Sequence, residues 1–385
     1  MAQPGSIRRG RAPLPLPRTG LPRPPAVSAG WRAHFGVWAS VAGAAFIALA
    51  LAAPRPQSAA LASAGDALDP AASAAWLVLA PIVASFPLGD AQAHLRLLSC
   101  AAAAAIIALL LWRATGAEQA PRDQGVSDAG SAPGPASLVA IGFGVLTVAL
   151  SRSFFDAATS GGPIAVGALA ALGLLALVER TLRAPTDARS GAGVAAIAGA
   201  AAAGPMTAAA LGWPLAALAV WRALRRRARW PAPAGFLLGI AAAVTLAVLV
   251  RAAGWARWGE IARHLFLVPV FQGIARLSVP ALAWAAGDVL DQIGVVGVLV
   301  AVMGLTRLRP GALFFTLWPL AGGLVLGAVE GRVPGGSVGL LVALSALALP
   351  IGVGTARLAE RLGRAALPAS AAIGVMVATW PLLAR

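Results

Sequence analysis

The chain has 385 residues, of which 59% are hydrophobic and only 11% charged, with a mean hydropathy of +0.81. A soluble domain of this length needs more surface charge, so the composition excludes one and points to membrane spans of about 20 residues each. The net charge of +16 does not indicate nucleic acid, because the arginines fall in short clusters between apolar blocks rather than along one face.

Residues 1–30 are rich in Pro, Gly and Arg and lack the apolar content to bury a core, so a disordered basic tail is expected. The apolar block Phe35 to Ala53 follows. Its long basic leader and long apolar run fit a retained signal-anchor better than a cleaved signal peptide. Gly65 to Cys100 then gathers Asp66, Asp69 and Asp90 in a chain with fourteen acidic residues. It reads as a first outer loop, residues 54–94, that carries a surface helix over 76–90.

A span is expected over 95–112, and the polar 114–136 reads as a flexible loop. The segments 138–150 and 163–178 form a helical hairpin joined by the short polar turn SRSFFDAATSGG, and ERTLRAPTDAR makes the loop after it. Residues 191–221, broken at Gly204-Pro205 and Gly212-Trp213-Pro214, read as two short passes before a span over 232–250. The mixture of Trp, Arg and apolar residues in 254–280 suits an interfacial segment. Spans over 290–306, 311–329, 337–356 and 366–383 complete an all-α bundle of eleven. Three regions result: the tail 1–30, a membrane module 31–253, and 254–385 with the interfacial segment and the C-terminal helices.

With the N-terminus inside, twenty-one of the thirty arginines fall on inner segments, the asymmetry expected of a cytoplasmic side. The single cysteine, Cys100, excludes an internal disulfide.

The central parts of these spans hold no Asp, Glu, Arg or His, which argues against an ion-coupled carrier, since such carriers place ionisable groups at membrane depth. The outer side instead collects carboxylates with Arg152, Arg257, Arg263, Arg276 and Arg332. A carboxylate can activate a hydroxyl while arginines hold a phosphate, although loops also contain charges merely to solvate them. Asp69 precedes Pro70 where a helix cap belongs, and that role accounts for it. Asp66 lies a turn earlier, outside the helix, and is the better candidate for a base or a metal ligand. A solvated loop acid is its plain alternative. Asp288 and Asp291, three apart at the start of a span, are explained by the helix dipole. His264 has no second His or Cys nearby, so no metal set is predicted. Pairs such as Gly323 and Gly327 say only that helices pack closely.

GDALDPAASAAW followed by FPLGDAQAHLRLLSC resembles the start of the bacterial protein O-mannosyltransferase-like membrane proteins of the GT-C superfamily. That family has Asp-x-x-Glu early in its first outer loop, matched by Asp66 and conservatively by Asp69. Its later Leu-Pro-x-Gly-Asp and Asn-Leu-x-Ser stretches are matched in part by Pro87-Leu88-Gly89-Asp90 and by Leu97-Leu98-Ser99. Its Ser-x-x-Phe-Trp turn is matched by Ser151, Phe154 and Phe155. A His-Pro-Pro-Gly run has no counterpart, and Gly161-Gly162-Pro163 stands where Glu-Val-Tyr belongs.

The resemblance covers roughly residues 35–225. It implies a GT-C-like bundle in a bacterial inner membrane, a polyprenyl-phosphate sugar donor among the membrane lipids, and Asp66 as the base. Arg152, Arg257, Arg263 and Arg276 become the phosphate partners. A divalent metal requirement stays open. The alternatives are an inactive relative serving as a membrane scaffold and, further off, a lipid or small-molecule carrier.

Overall fold

The structure, a computed structural model, describes residues 28–52, 74–87, 90–118, 135–183, 231–250, 276–331, 336–361 and 366–383. Contacts divide the chain into two units, Met1–Val37 and Trp38–Arg385, and the helical bundle is the second of these.

All regular structure among the described residues is helical, as expected of a backbone that must satisfy its own N–H and C=O groups in lipid. The described residues form eleven helices: α1 (Ser28–Ala52), α2 (Ala74–Ala84), α3 (Ala91–Glu118), α4 (Pro135–Ala149), α5 (Arg152–Thr159), α6 (Ile164–Arg183), α7 (Pro231–Val250), α8 (Val279–Leu305), α9 (Pro310–Glu330), α10 (Val338–Arg361) and α11 (Ala366–Leu383). Four of these are long and apolar enough to cross a membrane: α3 over Ala91–Ala114, α8, α9 and α10. The pair α4 and α5, bent by 64°, adds a fifth if it counts as one span.

The bundle is built round α10. It packs against α4, α8, α9, α11 and α6, and every residue from Val338 to Gly352 is buried. Backbone-to-backbone approach makes this possible. A Cβ on Gly339 would come within 2.3 Å of the Gly327 nitrogen, and one on Gly304 within 1.9 Å of the Pro350 carbonyl oxygen. One on Gly144 would lie 2.3 Å from the Ala348 oxygen. Glycine on one partner or both thus seats α9, α8 and α4 on the central helix. Gly323 shares the α9 crossing, where its Cβ would lie 2.7 Å from the Gly339 oxygen, so the Gly323/Gly327 pair does mark a close contact.

Side-chain contacts define two ends. At the upper end α3, α6, α8 and α10 begin and α4, α9 and α11 finish. At the lower end the directions reverse.

Several boundaries differ from the sequence reading. The surface helix expected over 76–90 is α2, which ends at Ala84 and buries Trp76, Leu77 and Ala80 as it packs on α3, α6 and α7. The expected polar turn SRSFFDAATSGG is a helix in its own right. Ser151 caps α5 by accepting a hydrogen bond from the Phe154 N–H at 3.3 Å, and Ser153, Phe154, Ala157, Ala158 and Thr159 are buried. ERTLR continues α6 through Arg183 instead of opening a loop.

The span expected over 290–306 starts at Val279, where Ser278 caps it and accepts from the Ala281 N–H at 3.3 Å. Asp288 and Asp291 are therefore the tenth and thirteenth residues of a 27-residue helix. Neither lies in the first turn of α8, so a place at the start of the helix does not account for them.

Candidate functional site

Of the residues singled out by sequence, Asp66, Asp69, Arg257 and Arg263 lie outside the described residues, as do His264 and Arg332. Arg152 opens α5 with its side chain exposed and forms an ion pair with Asp156, Nε to Oδ2 3.6 Å. Arg276 is exposed just ahead of the Ser278 cap. Asp90 is exposed at the start of α3, where its Oδ1 accepts from the Gln92 N–H at 3.3 Å. All three belong to the upper end.

A polar network joins two elements distant in sequence, α5 and α8. The carboxamide of Gln292 on α8 reads Ser153 of α5 twice. Its Oε1 accepts from the Ser153 N–H at 3.0 Å, and its Nε2 donates to Ser153 Oγ at 2.9 Å. The same Nε2 donates to Asp288 Oδ2 at 2.6 Å, one helical turn earlier on α8. Both amide hydrogens are thus used, and the double contact with Ser153 fixes which way the amide faces. The result is a half-buried carboxylate held in one orientation by a buried glutamine.

The α9–α10 connection abuts this network. A Cβ on Gly336, at φ +101°, would lie 3.6 Å from the Ser153 carbonyl oxygen. Beside it, Glu330 Oε2 accepts from Ser337 Oγ and from the Gly339 N–H at 3.1 Å, while Ser337 Oγ accepts from the Leu340 N–H at 3.2 Å. Glu330 and Ser337 together cap α10, which gives this carboxylate a structural role.

The segments that carry the family resemblance meet here too. Ser99 Oγ donates to the Gly162 carbonyl at 3.0 Å, and Cys100 Sγ approaches the Ala158 carbonyl at 3.3 Å. These bonds set the upper end of α3 against the α5–α6 turn. That turn passes through Gly161 at φ +68°, and a side chain there would press on Arg96.

The lower end holds an ion pair that the sequence did not announce. Arg113 Nε donates to Glu179 Oε2 at 2.9 Å with both side chains largely buried, and Arg113 also donates to the Phe315 carbonyl. One guanidinium ties α3, α6 and α9 together.

Among the described residues no cluster of three or more His, Cys, Asp and Glu side chains is arranged to hold a metal ion. Chemically, the upper end offers an oriented carboxylate, Asp288, and two exposed guanidinium groups, Arg152 and Arg276. Ser153 and Gln292 escaped the sequence reading because a lone serine in a turn and a lone glutamine in a span carry no pattern. Only their contact gives them meaning. Comparison of the chain with protein-family models, with curated proteins and with solved structures finds no match.

Proposed function

We propose that the chain is a membrane glycosyltransferase-like protein of GT-C type. It transfers a sugar from a polyprenyl-phosphate-linked donor to an acceptor hydroxyl at the outer face of a bacterial cytoplasmic membrane. The upper end of the bundle is that outer face, the N-terminus is cytoplasmic, and the helices make about eleven passes.

In the step, Asp66 accepts the proton of the acceptor hydroxyl while its oxygen bonds to the anomeric carbon. The bond from that carbon to the phosphate oxygen breaks, and polyprenyl phosphate leaves. Arg152, Arg257, Arg263 and Arg276 offset the charge that gathers on the phosphate.

The observation that supports this reading is the meeting of the two family-like segments. Leu97-Leu98-Ser99 and Ser151-Arg152-Ser153-Phe154-Phe155 are some fifty residues apart in sequence, yet α3 and α5 pack together at the upper end. Arg152 and Arg276 stand exposed at the same end, where a phosphate headgroup would lie.

The test is Asp66→Asn in a strain whose outer-face glycans and glycoproteins are profiled, paired with transfer from a radiolabelled polyprenyl-phosphate sugar in membrane vesicles. Loss of product with folded protein retained supports the enzyme. Unchanged product would overturn it and favour the scaffold, the reading that the missing His-Pro-Pro-Gly and Glu-Val-Tyr runs favour. Substrate flux in proteoliposomes would favour the carrier.

A further inference from the structure

Helix α8 is broken. Gly294 has φ +67° and ψ 169°, which no helix accommodates and which residues with a Cβ rarely adopt. In an unbroken helix the Asp291 carbonyl would receive the N–H four residues on. Here the indole Nε1 of Trp380, on α11, donates to that carbonyl at 3.1 Å. The ring also occupies the space that a side chain at 294 would need, since a Cβ there would lie 2.4–2.5 Å from its Nε1, Cε2 and Cδ1 atoms. The notch, the freed acceptor and the ring fit one another.

The two sides of the break are held differently. Below it, Val300 and Gly304 meet Gly354 and Pro350 of α10 at backbone contact, which leaves no room to slide. Above it, residues 279–293 bury only Ala285, Val289, Gln292 and Ile293, while Val279 and Leu290 are exposed and no described atom comes within 4 Å of a would-be Cβ on Gly287. The upper arm is held by the Gln292–Ser153 pair, by the Trp380–Asp291 bond and by the packing of Ala281, Leu282 and Trp284 on the core.

We propose that residues 279–293 form a hinged arm that pivots at Gly294 and is latched by the Trp380 indole. Trp380 is partly exposed, so its ring can leave the notch without opening the core. Asp288 rides on the arm six residues from the pivot, roughly 9 Å along the axis. A rotation of roughly 20°, the size of a distinct kink, would carry it by about 3 Å and residue 283 by about 6 Å. Release of the latch therefore repositions the one carboxylate that the upper network orients. The hinge does not depend on the glycosyl-transfer reading.

Nitroxide pairs in the full-length protein in lipid nanodiscs test it, with Cys100 replaced by Ala. One pair joins the arm to α4 through Ala283→Cys and Leu146→Cys. The second joins the lower half of α8 to α4 through Leu299→Cys and Leu146→Cys. The arm pair should gain a second distance population, displaced by about 4 Å or more, in Trp380→Phe and in Gly294→Ala, while the lower pair stays as in the parent. An unchanged arm distance in both variants would overturn the hinge, and so would equal broadening of both pairs, which signals general loosening. Hydrogen exchange of the otherwise unsubstituted chain supplies a readout that needs no variant to fold. Amides 294–297 should exchange at least about tenfold faster than amides 300–304, and equal protection would count against the pivot.

Discussion

The indole N–H of Trp380 is bonded to the carbonyl of Asp291, across 89 residues of sequence. The pairing closes a helix break with a side chain from another helix, and it requires glycine at 294. Trp380→Phe removes the donor and keeps most of the ring, so it should cost about 1 kcal/mol. Gly294→Ala meets both the strained backbone and the indole and should cost more, about 2–3 kcal/mol. Thermal unfolding of the detergent-purified protein by intrinsic fluorescence compares the two, and the order is the expectation. Equal melting temperatures for the two variants would sink it.

The Arg113–Glu179 pair should behave as a buried ion pair. Glu179→Gln leaves the guanidinium among helices without its counter-charge and should lose about 3–5 kcal/mol. The double change Arg113→Met with Glu179→Leu should recover much of that loss, because the desolvation cost goes with the charges. A double-mutant cycle on the unfolding free energy measures the coupling, and additive losses would contradict it.

The α9–α10 crossing admits no side chain at Gly339. Gly339→Val should force the backbones apart at Gly327 and lower stability by about 3 kcal/mol or more, since overpacking a rigid contact strains both helices. Gly287→Ala has open space among the described residues and makes the matched control, expected to be neutral or slightly stabilising by its helix propensity. The melting temperatures of the two variants should move in opposite directions or differ widely.

Two hydroxyls, Thr316 Oγ1 and Ser345 Oγ, are buried without a hydrogen-bond partner among the described residues. Ser345→Ala and Thr316→Val should therefore be neutral or stabilising by up to about 1 kcal/mol, because each removes a polar atom that nothing satisfies. A marked loss of stability in either would mean that the hydroxyl is engaged after all.

Ser151→Ala should destabilise by about 1 kcal/mol through loss of the α5 cap. It should also disturb Ser153, two residues on, and with it the orientation of Gln292. An unchanged melting temperature would argue that the α5 start is held by Phe154 packing alone.

The sequence by itself determined the class of the molecule. Long apolar blocks in a chain of low charge do not suit a soluble domain, and in lipid a backbone must close its own hydrogen bonds, so the long apolar helices could be located from hydropathy, whereas α5 could not. Small-residue spacing such as that of Gly323 and Gly327 said only that helices pack closely, and it took the structure to show that this pair meets Gly339 and Leu340. Local chemistry was less legible. Ser151 as a cap hid inside an expected turn, and the start of α8 was missed because Asp288 and Asp291, which follow the apolar run VPALAWAAG, were read as the edge of the span.

Tertiary structure decided everything that depends on which helix faces meet. Gln292 finds Ser153 across 139 residues, Arg113 finds Glu179 across 66, and the arginine bonds Phe315 across 202. None of these pairs has a spacing that a periodicity can reveal, because each follows from the packing of whole helices about α10. The break at Gly294 is of the same kind. A glycine in an apolar run is ambiguous until an indole fills the space beside it.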